Sequence, residues 1–257
     1  MTAARRHALV LASSTGIGHA CAASLAQAGH SVCLNGRDPV RLLAAADQIR
    51  LRCAEAAVSY CAADLNTCED RDKVVQQAGH ADILVLNMGG PPVGNQTLSL
   101  AEWQAAFDSI FMPMTDILDR ILPGMIARSW GRVVMISSAA VRQPIPNLVV
   151  SGVFRTGLAS LLSVRAVQVA RYGVTINSLL PGRILTDRQN RALEREAAQA
   201  GITKDAQLAK VSESIPMGRL GTPEEMGNVC AFLCSEGASY VTGQNILVDG
   251  GAFRGVF

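Results

Sequence analysis

The stretch Leu9-Val10-Leu11-Ala12-Ser13-Ser14-Thr15-Gly16-Ile17-Gly18 decides the fold of this chain. It begins as an apolar run, which is typical of a buried strand, and its glycines open a helical pattern over 18–28. Such a turn places free backbone N–H groups and a helix N-terminus where a phosphate group binds. The alternative is a tight turn that packs strand against helix without a ligand, and these residues alone favour neither.

Short β-rich runs alternate with longer Ala- and Leu-rich helical patterns along the chain. The predicted strands cover 7–12, 31–35, 57–61, 82–86, 132–137, 174–179 and 245–248, and the predicted helices include 18–28, 39–52, 100–128 and 152–171. This alternation implies right-handed crossovers and a parallel sheet that is covered on both faces. We therefore predict that residues 1–257 form one doubly wound α/β domain with a seven-stranded parallel sheet. The charged helical segment 186–214 lacks a strand of its own, and we predict that it forms a substrate lid.

The composition excludes several classes of protein. The chain has 257 residues, of which 49% are hydrophobic and 17% are charged, so it can bury a full-sized core and is not disordered, collagen-like or coiled-coil. The net charge is only +2 and aromatic residues make up 4%, so we expect neither a phosphate-tracking surface nor a base-stacking platform. Nucleic acid is therefore not an expected partner.

Seven cysteines are scattered without a C-x-x-C pair or a histidine at zinc-ligand spacing: Cys21, Cys33, Cys53, Cys61, Cys68, Cys230 and Cys234. We expect buried, reduced thiols, no metal site and a cytoplasmic location, with a redox or metal site as the alternative. The apolar run after Arg5 and Arg6 is too short for a signal peptide. No stretch approaches the roughly 20 apolar residues of a membrane span, so no membrane association is expected.

The ends of the next strands carry residues that suit a bound dinucleotide. Arg37 ends the second strand, where such sites select the adenosine ribose, and a guanidinium there can pair with a 2′-phosphate. This favours NADP over NAD, and a solvated arginine at a strand end is the alternative. Asp64 and Leu65 follow the third strand, and Asn87 and Gly89 follow the fourth, at the same edge of the predicted sheet.

Together these segments resemble the short-chain dehydrogenase/reductase family over essentially the whole chain. Residues 12–18 resemble its T-G-x-x-x-G-x-G loop, with Ala12 in place of the first glycine, 86–89 resemble N-N-A-G, 177–186 match N-x-x-x-P-G-x-x-x-T, and 218–225 and 241–251 match the C-terminal pattern. The resemblance implies a Rossmann-type fold close to 3-oxoacyl-acyl-carrier-protein reductase-like enzymes, which are usually tetramers. It places the cofactor against Ser13, Ser14, Thr15, Gly16, Ile17, Gly18, Asn87, Gly89, Arg155, Pro181, Gly182, Ile184 and Thr186.

The catalytic positions depart from that family. Its members donate a proton from a Tyr, lower the pKa of that Tyr with a Lys, hold the carbonyl oxygen with a Ser and anchor a relay water with an Asn. Ser138 matches the Ser, whereas Ser151 stands at the Tyr position, Arg155 at the Lys position and Ile110 at the Asn position. Three of the four catalytic groups are replaced.

The replacements change the chemistry that the site can perform. A phenol has a pKa near 10 that a cation can lower toward the working pH, whereas a serine hydroxyl is too weak an acid. A guanidinium, with a pKa above about 12, shuttles protons poorly but can hold a charge near the cofactor ribose or an anionic oxygen. Tyr60, Tyr172 and Tyr240 are not placed to substitute. The plain alternatives are backbone capping for Ser138, a helix N-cap for Ser151, a helix-face or acid-paired role for Arg155 and core packing for Ile110.

Four arginines lie in or just before the predicted lid: Arg183, Arg188, Arg191 and Arg195. The last three share one helical face at spacings of three and four. If that face turns toward the nicotinamide, the substrate carries an anionic part such as a carboxylate or a phosphopantetheine arm. The alternative is a solvated helix with Glu194 and Glu196 as partners.

Two functions fit these residues. The first is an NADP(H)-dependent oxidoreductase, forming a homotetramer, that acts on a small-molecule carbonyl or hydroxyl substrate of which a 3-oxoacyl thioester is one candidate. In it Ser138 and Arg155 stabilise the oxyanion, and water or the substrate supplies the proton. The second is a non-redox nucleotide-binding sensor or scaffold that keeps the cofactor crevice.

Overall fold

The computed structural model describes residues 5–90 and 97–256. Its strands are β1 (His7–Val10), β2 (Ser31–Gly36), β3 (Val58–Ala62), β4 (Ile83–Leu86), β5 (Gly131–Ile136), β6 (Val174–Pro181) and β7 (Asn245–Val248). They form one sheet in the order β3-β2-β1-β4-β5-β6-β7, and all neighbouring strands are parallel. The predicted seven-stranded, doubly wound α/β fold is confirmed.

The helices are α1 (Gly16–Gln27), α2 (Pro39–Arg52), α3 (Cys68–Ala78), α4 (Leu100–Ala106), α5 (Met112–Ala127), α6 (Val149–Val169), α7 (Asp187–Ala200), α8 (Lys204–Glu213) and α9 (Pro223–Cys234). Short polar side chains accept first-turn N–H groups at several starts, namely Asp38, Thr67, Ser99, Thr186, Thr203 and Thr222. Because these N–H groups have no partner inside the helix, the caps fix where the helices begin.

The sheet buries an apolar layer on each of its faces. Ala8 and Val10 of β1 pack with buried residues of α1, α2 and α9, whereas Leu9 of the same strand packs with buried residues of α3, α5 and α6. Successive side chains of a strand point to opposite faces, so a strand covered on both sides must be apolar throughout. This explains the continuous apolar runs in the sequence.

The order of the strands sets the position of the site. From β1 the chain continues to β2 and β3 on one side, and β4 then lies on the other side of β1. Parallel α/β sheets bind ligands at this switch point, outside the carboxyl ends of the strands. The turn after β1 and the segment after β4 therefore form the centre of the candidate site.

Several element boundaries differ from the prediction. β1 ends at Val10 because Ala12 has φ = 44°, in the left-handed region, where the chain leaves the strand. The predicted helix 100–128 is interrupted by a π-helical turn at Phe107–Phe111, and α6 begins at Val149. Ser151 therefore lies inside the first turn of α6, and the N-cap position belongs to Leu148.

The cysteines of the described chain form no disulfide. Cys21, Cys33, Cys230 and Cys234 are buried as expected, but Cys68 is exposed because it begins α3 at the surface. Among residues 5–90 and 97–256, no cluster of His, Cys, Asp and Glu side chains could hold a metal ion.

Segment 186–214 folds into α7 and α8, which pack on each other after β6. Leu193 and Val211 of these helices form a small core with Ile215 and Leu220, which follow α8. This core is separate from the layers on the sheet. The start of α7 lies beside the turn after β1, since a Cβ placed on Gly16 would lie 3.5 Å from Cγ2 of Thr186. That this pair of helices acts as a lid stays a prediction.

Residues 149–172, which comprise α6 and a short 3-10 extension, are long and apolar enough to cross a membrane by length and composition alone. From the sequence, no such stretch was expected. Leu158 and Leu162 of this helix pack in the core of the sheet, as in the core helix of a globular protein, while Val164 and Val167 are exposed. One apolar face of α6 is therefore uncovered in the single chain.

The contact between α1 and α9 depends on Gly227. A Cβ there would lie 2.5 Å from the carbonyl oxygen of Ala20 and 2.6 Å from Oγ of Ser24. We expect Gly227→Ala to lower the free energy of unfolding by about 1–3 kcal/mol because the helices must move apart. Urea denaturation at fixed protein concentration measures it. The control is Gly152→Ala in α6, where a Cβ meets nothing within 4 Å, and which we expect to raise stability by about 0.5–1 kcal/mol. Equal effects would contradict the proposed role of Gly227.

Candidate active site

A crevice of about 860 Å³ opens at the carboxyl edge of the sheet. Its wall contains most of the residues predicted to bind a cofactor: Ser14, Thr15, Gly16, Ile17, Arg37, Asp64, Leu65, Asn87, Gly89, Arg155, Pro181 and Thr186. These residues come from the ends of β1, β2, β3, β4 and β6, from α6 and from the start of α7. The topology therefore brings together side chains that are far apart in sequence.

The other four residues predicted to bind the cofactor do not line the crevice in the described structure but lie behind its wall. Ser13 is fully buried, and its Oγ donates to the carbonyl oxygen of Val10 at 2.7 Å. Gly182 lies against Asp249, where a Cβ would come within 2.7 Å of the Asp249 Cβ, and Ile184 is buried and bridges to Gly221. Gly18 packs under the turn after β1. These residues shape the backbone and do not face the crevice.

Two asparagine side chains form hydrogen bonds with the backbone of the turn after β1. Nδ2 of Asn87 donates to the Ala12 carbonyl oxygen at 3.0 Å, and Oδ1 of Asn35 accepts the Ala12 N–H at 3.3 Å. A Cβ on Gly18 would lie 2.5 Å from the Ala12 oxygen, so only glycine lets α1 start this close. The first N–H groups of α1, which lack helical partners, therefore form a backbone cradle that fits a pyrophosphate.

Two arginines line the crevice where β2 ends. Arg37 was predicted from the sequence, whereas Arg41, four residues later in the first turn of α2, was not singled out. Arg41 also forms an exposed ion pair with Asp38 at 3.4 Å. Arg41 could have been identified in the sequence, because it follows Arg37 by four residues and lies at the start of the predicted helix 39–52. Two guanidinium groups here can hold a phosphate on the ribose of a dinucleotide.

Arg155 is a buried cation that ties two strand ends together. Its Nη1 donates to the carbonyl oxygens of Ile136 at 2.9 Å and Ser137 at 3.2 Å, and its Nη2 donates to that of Met88 at 3.4 Å. Its Nε donates to Oγ of Ser151 at 3.1 Å. The guanidinium therefore joins the segments after β4 and β5. The two plain alternatives for Arg155 do not apply within the described residues, because the side chain is buried and none of its partners is acidic.

The charge of Arg155 persists at neutral pH. Burial lowers the pKa of its guanidinium to about 10, and the nearby positive charge of Arg188 contributes to the lowering. Four of its five N–H groups have the partners named above, which leaves one N–H on Nη2. Carbonyl and hydroxyl oxygens carry no full charge, so the wall of the crevice stays positive at this point.

The three serines near Arg155 have different environments. Ser151 is buried, and its oxygen accepts from Arg155. Ser138 starts a short 3-10 turn, and its oxygen accepts the Ala140 N–H at 3.1 Å, which is the capping contact of the plain alternative. Ser137 lines the crevice, and its buried Oγ has no hydrogen-bond partner among the described residues. Sequence reasoning singled out Ser138 and missed Ser137, because adjacent serines differ only in the direction of their side chains.

The positions of the family's phenol and amide carry other residues in this chain. Ile110 is buried in the π-helical turn, as core packing predicts. Tyr60 lies in β3, Tyr172 lies beyond α6 and Tyr240 is fully exposed, and the described crevice wall contains no tyrosine. No phenol therefore stands on the described wall of the crevice.

Helix α7 turns its arginine face into the crevice. Arg188, Arg191 and Arg195 all line it, and a Cβ on Gly90, after β4, would lie 2.5 Å from Nη1 of Arg188. Arg183 points elsewhere, toward Glu196 at 3.0 Å. The sequence grouped the arginines by spacing, and the structure separates Arg183 from the other three.

A family model, curated relatives and solved structures match the chain. A family model described as enoyl-(acyl carrier protein) reductase matches residues 11–252. The NADPH-dependent reductase BacG of Bacillus subtilis (strain 168) is 30% identical over 257 residues, which cover 98% of this chain and 99% of that protein. The crystal structure of YwfH, an NADPH-dependent reductase involved in bacilysin biosynthesis, has a TM-score of 0.92 at 28% identity and covers 98% of this chain and 100% of that chain. L-sorbose reductase from Gluconobacter frateurii, solved with NADPH and L-sorbose, has a TM-score of 0.91 at 30% identity and 98% coverage of both chains.

The fold and the phosphate cradle define a dinucleotide-binding α/β protein of the oxidoreductase type. More specifically, the chain belongs to the short-chain dehydrogenase/reductase family, because the matches extend over nearly its whole length. The resemblance read from the sequence motifs is confirmed.

The hydrogen bonds of Arg155 predict different effects for the two residues at the family's Tyr and Lys positions. Arg155→Ala leaves the carbonyls of Met88, Ile136 and Ser137 without their donor, and we expect it to lower the free energy of unfolding by about 3 kcal/mol and to weaken nucleotide binding. Ser151→Ala removes one acceptor and should cost about 1 kcal/mol or less. Urea denaturation and calorimetric titration with NADPH measure both effects. A larger loss for Ser151→Ala would show that Ser151 has a role of its own.

Proposed function

We propose that the protein is an NADPH-dependent reductase of a small-molecule carbonyl substrate, with Arg155 as the charge that stabilises the developing oxyanion. The observation that supports this most is the buried guanidinium of Arg155 on a crevice wall that also carries a phosphate cradle at 14–17. The named relatives that the chain resembles are NADPH-dependent reductases. Arg37 and Arg41 supply the groups for the 2′-phosphate.

The residues at the site divide the work as follows. When bound, the reduced nicotinamide supplies a hydride. Arg155 lowers the energy of negative charge in the crevice, and its remaining N–H can point to a substrate or ribose oxygen. The family resemblance assigns the contact with the substrate oxygen to Ser138, whose own oxygen accepts the Ala140 N–H. On the crevice wall it is Ser137, with an unpartnered Oγ, that offers a hydroxyl to the same oxygen. The proton comes from water or from the substrate, because Ser151 is buried against Arg155 and is too weak an acid.

The second candidate is a non-redox sensor or scaffold that binds the nucleotide. The observation that favours it is the replacement of the family's Tyr, Lys and Asn by Ser151, Arg155 and Ile110. Positioning and electrostatics alone can contribute several orders of magnitude in rate, which keeps reduction as the first choice. Oxidation of NADPH with β-ketoacyl thioesters, α-diketones and quinones separates the two. A protein that binds NADPH tightly and reduces none of these acceptors would support the sensor.

We also place the protein in the cytoplasm. The described cysteines are unpaired thiols, which suits a reducing compartment.

Arg37 is expected to set the cofactor preference. It pairs with the doubly charged 2′-phosphate, and such charge-assisted contacts contribute roughly 1.5–3 kcal/mol. Calorimetric titration of NADPH and NADH should show tighter binding of NADPH, and Arg37→Ala should remove most of that difference. Arg41→Ala tests whether the second guanidinium shares the role, and Arg50→Ala, whose side chain pairs with Asp47 outside the crevice, is the control. Equal wild-type affinities for the two nucleotides would overturn the assignment.

Restoring the family residues is expected to fail. We expect Ser151→Tyr combined with Arg155→Lys to gain little ketoreductase activity, because Ile110 cannot anchor a relay water and groups that act as a unit fail non-additively. Steady-state assays with a β-ketoacyl thioester measure it. A gain of about a hundredfold or more would show instead that the site is an otherwise intact reductase.

We propose a homo-oligomer, of which the tetramer usual in the family is the expected form. The exposed face of α6, with Val153, Val164 and Val167, and the exposed Met112 of α5 leave apolar surface that a second copy would cover. Light scattering at micromolar concentration should show a species larger than one chain. A monomer would contradict the proposal, and Val164→Glu with Val167→Glu should weaken the assembly while a monomeric protein would be indifferent to them.

A further inference from the structure

The charged side chains of α7 are sorted between two faces. Glu194 binds Lys204 at 2.9 Å, and Glu196 binds Arg183 and accepts from Nε2 of Gln207 at 2.9 Å. The two carboxylates that the solvated-helix alternative required as arginine partners are thus paired with other groups. Within residues 5–90 and 97–256, Arg191 and Arg195 have no carboxylate at ion-pair distance.

Arg191 and Arg195 carry like charges on one face of α7. They are four residues apart, and like charges at this spacing destabilise a helix when no carboxylate lies between them. Partial burial lowers the pKa of Arg188, and the positive charges of Arg195 and Arg191 lower it further. Asp64 and Asp187 also line the crevice, but six arginines do so, and the wall remains positive. A ligand with negative charge would remove this repulsion.

The cofactor phosphates have other partners in the same crevice. The cradle at 14–17 fits the pyrophosphate, and Arg37 and Arg41 lie at the end of β2. Arg188 instead lies against Gly90, after β4, and its charge acts on Arg155. Because β1 separates β2 from β4, the ends of these two strands are about 10 Å apart along the sheet. Arg188 therefore lies near Arg155, where the substrate reacts in the proposed function, and Arg191 and Arg195 line the same crevice from the same face of α7. The start of α7 also lies beside Gly16 of the cradle, so the experiment must separate substrate binding from cofactor binding.

We propose that Arg188, Arg191 and Arg195 form a subsite for an anionic group of the substrate, a carboxylate, sulfonate or phosphate that is separate from the carbon that accepts the hydride. This rests on the proposed reductase function for its meaning, but the binding itself can be measured without turnover. The subsite selects acceptors with a negative group over neutral ones of the same shape, since a neutral acceptor leaves the repulsion between the arginines in place.

The binding test uses an unreactive anion. Protein saturated with NADP+ is titrated with naphthalene sulfonate in a calorimeter, and wild type is compared with Arg191→Gln, Arg195→Gln and the double variant. We expect each single change to weaken sulfonate binding roughly tenfold, the effect of losing one charged contact. The control is Arg183→Gln, which removes the same charge from the Glu196 pair outside the crevice and should leave the affinity unchanged.

The kinetic test uses a matched pair of acceptors, a naphthoquinone and its sulfonate. Wild type should favour the sulfonate through a lower KM, and Arg191→Gln with Arg195→Gln should abolish the preference, whereas Arg183→Gln, outside the crevice, should keep it. Added salt should reduce the preference as well.

Three results would overturn the subsite. Wild type that does not bind naphthalene sulfonate is one, and an equal loss of binding in Arg183→Gln is another. Variants that weaken NADP+ binding and leave sulfonate binding intact would show that these arginines serve the cofactor phosphates. Failure of the proposed function looks different: no acceptor oxidises NADPH, whereas sulfonate still binds and the α7 variants still weaken it.

Discussion

The site depends on one buried cation whose partners are backbone oxygens. Removing a guanidinium from water costs several kcal/mol, and the carbonyls of Met88, Ile136 and Ser137 offset that cost only where β4 and β5 end side by side. Arg155 therefore fixes the spacing of these two ends, which form the crevice wall beside the turn after β1. No carboxylate of the described chain neutralises it. One contact thus orders the backbone and gives the site its positive charge.

The identity of residue 151 follows from that contact. The Nε of Arg155 needs an acceptor one turn back along α6, and Ser151 provides it at 3.1 Å while remaining buried. A lysine at 155 would have no Nε–H group. Its single ammonium group cannot reproduce the planar set of donors with which the guanidinium reaches three carbonyls. The side chains at the family's Tyr and Lys positions are therefore in direct contact in this chain.

The sequence predicted the sheet well because the alternation of apolar strands with helices leaves few other arrangements. It also predicted the turn between β1 and α1, although Ala12 occupies a left-handed position that usually needs glycine, at φ = 44°. It could not predict the partners of Arg155, since backbone carbonyls have no sequence signature. Spacing identified the arginine face of α7 but not the direction in which it turns, because that depends on how α7 packs on α8 through Leu193 and Val211.

The electrostatics of the crevice and its missing proton donor lead to the same class of substrate. A positive wall stabilises a product whose oxygen is negatively charged. Without a positioned phenol in the described crevice, a product that must be protonated at once is disfavoured. An acceptor whose reduced form is a weak base meets both conditions, because its charge can persist beside Arg155 until water supplies the proton. Simple ketones give alkoxides, which are strong bases and need the missing donor most. If the protein reduces a carbonyl substrate as proposed, conjugated acceptors suit the site better than isolated ketones.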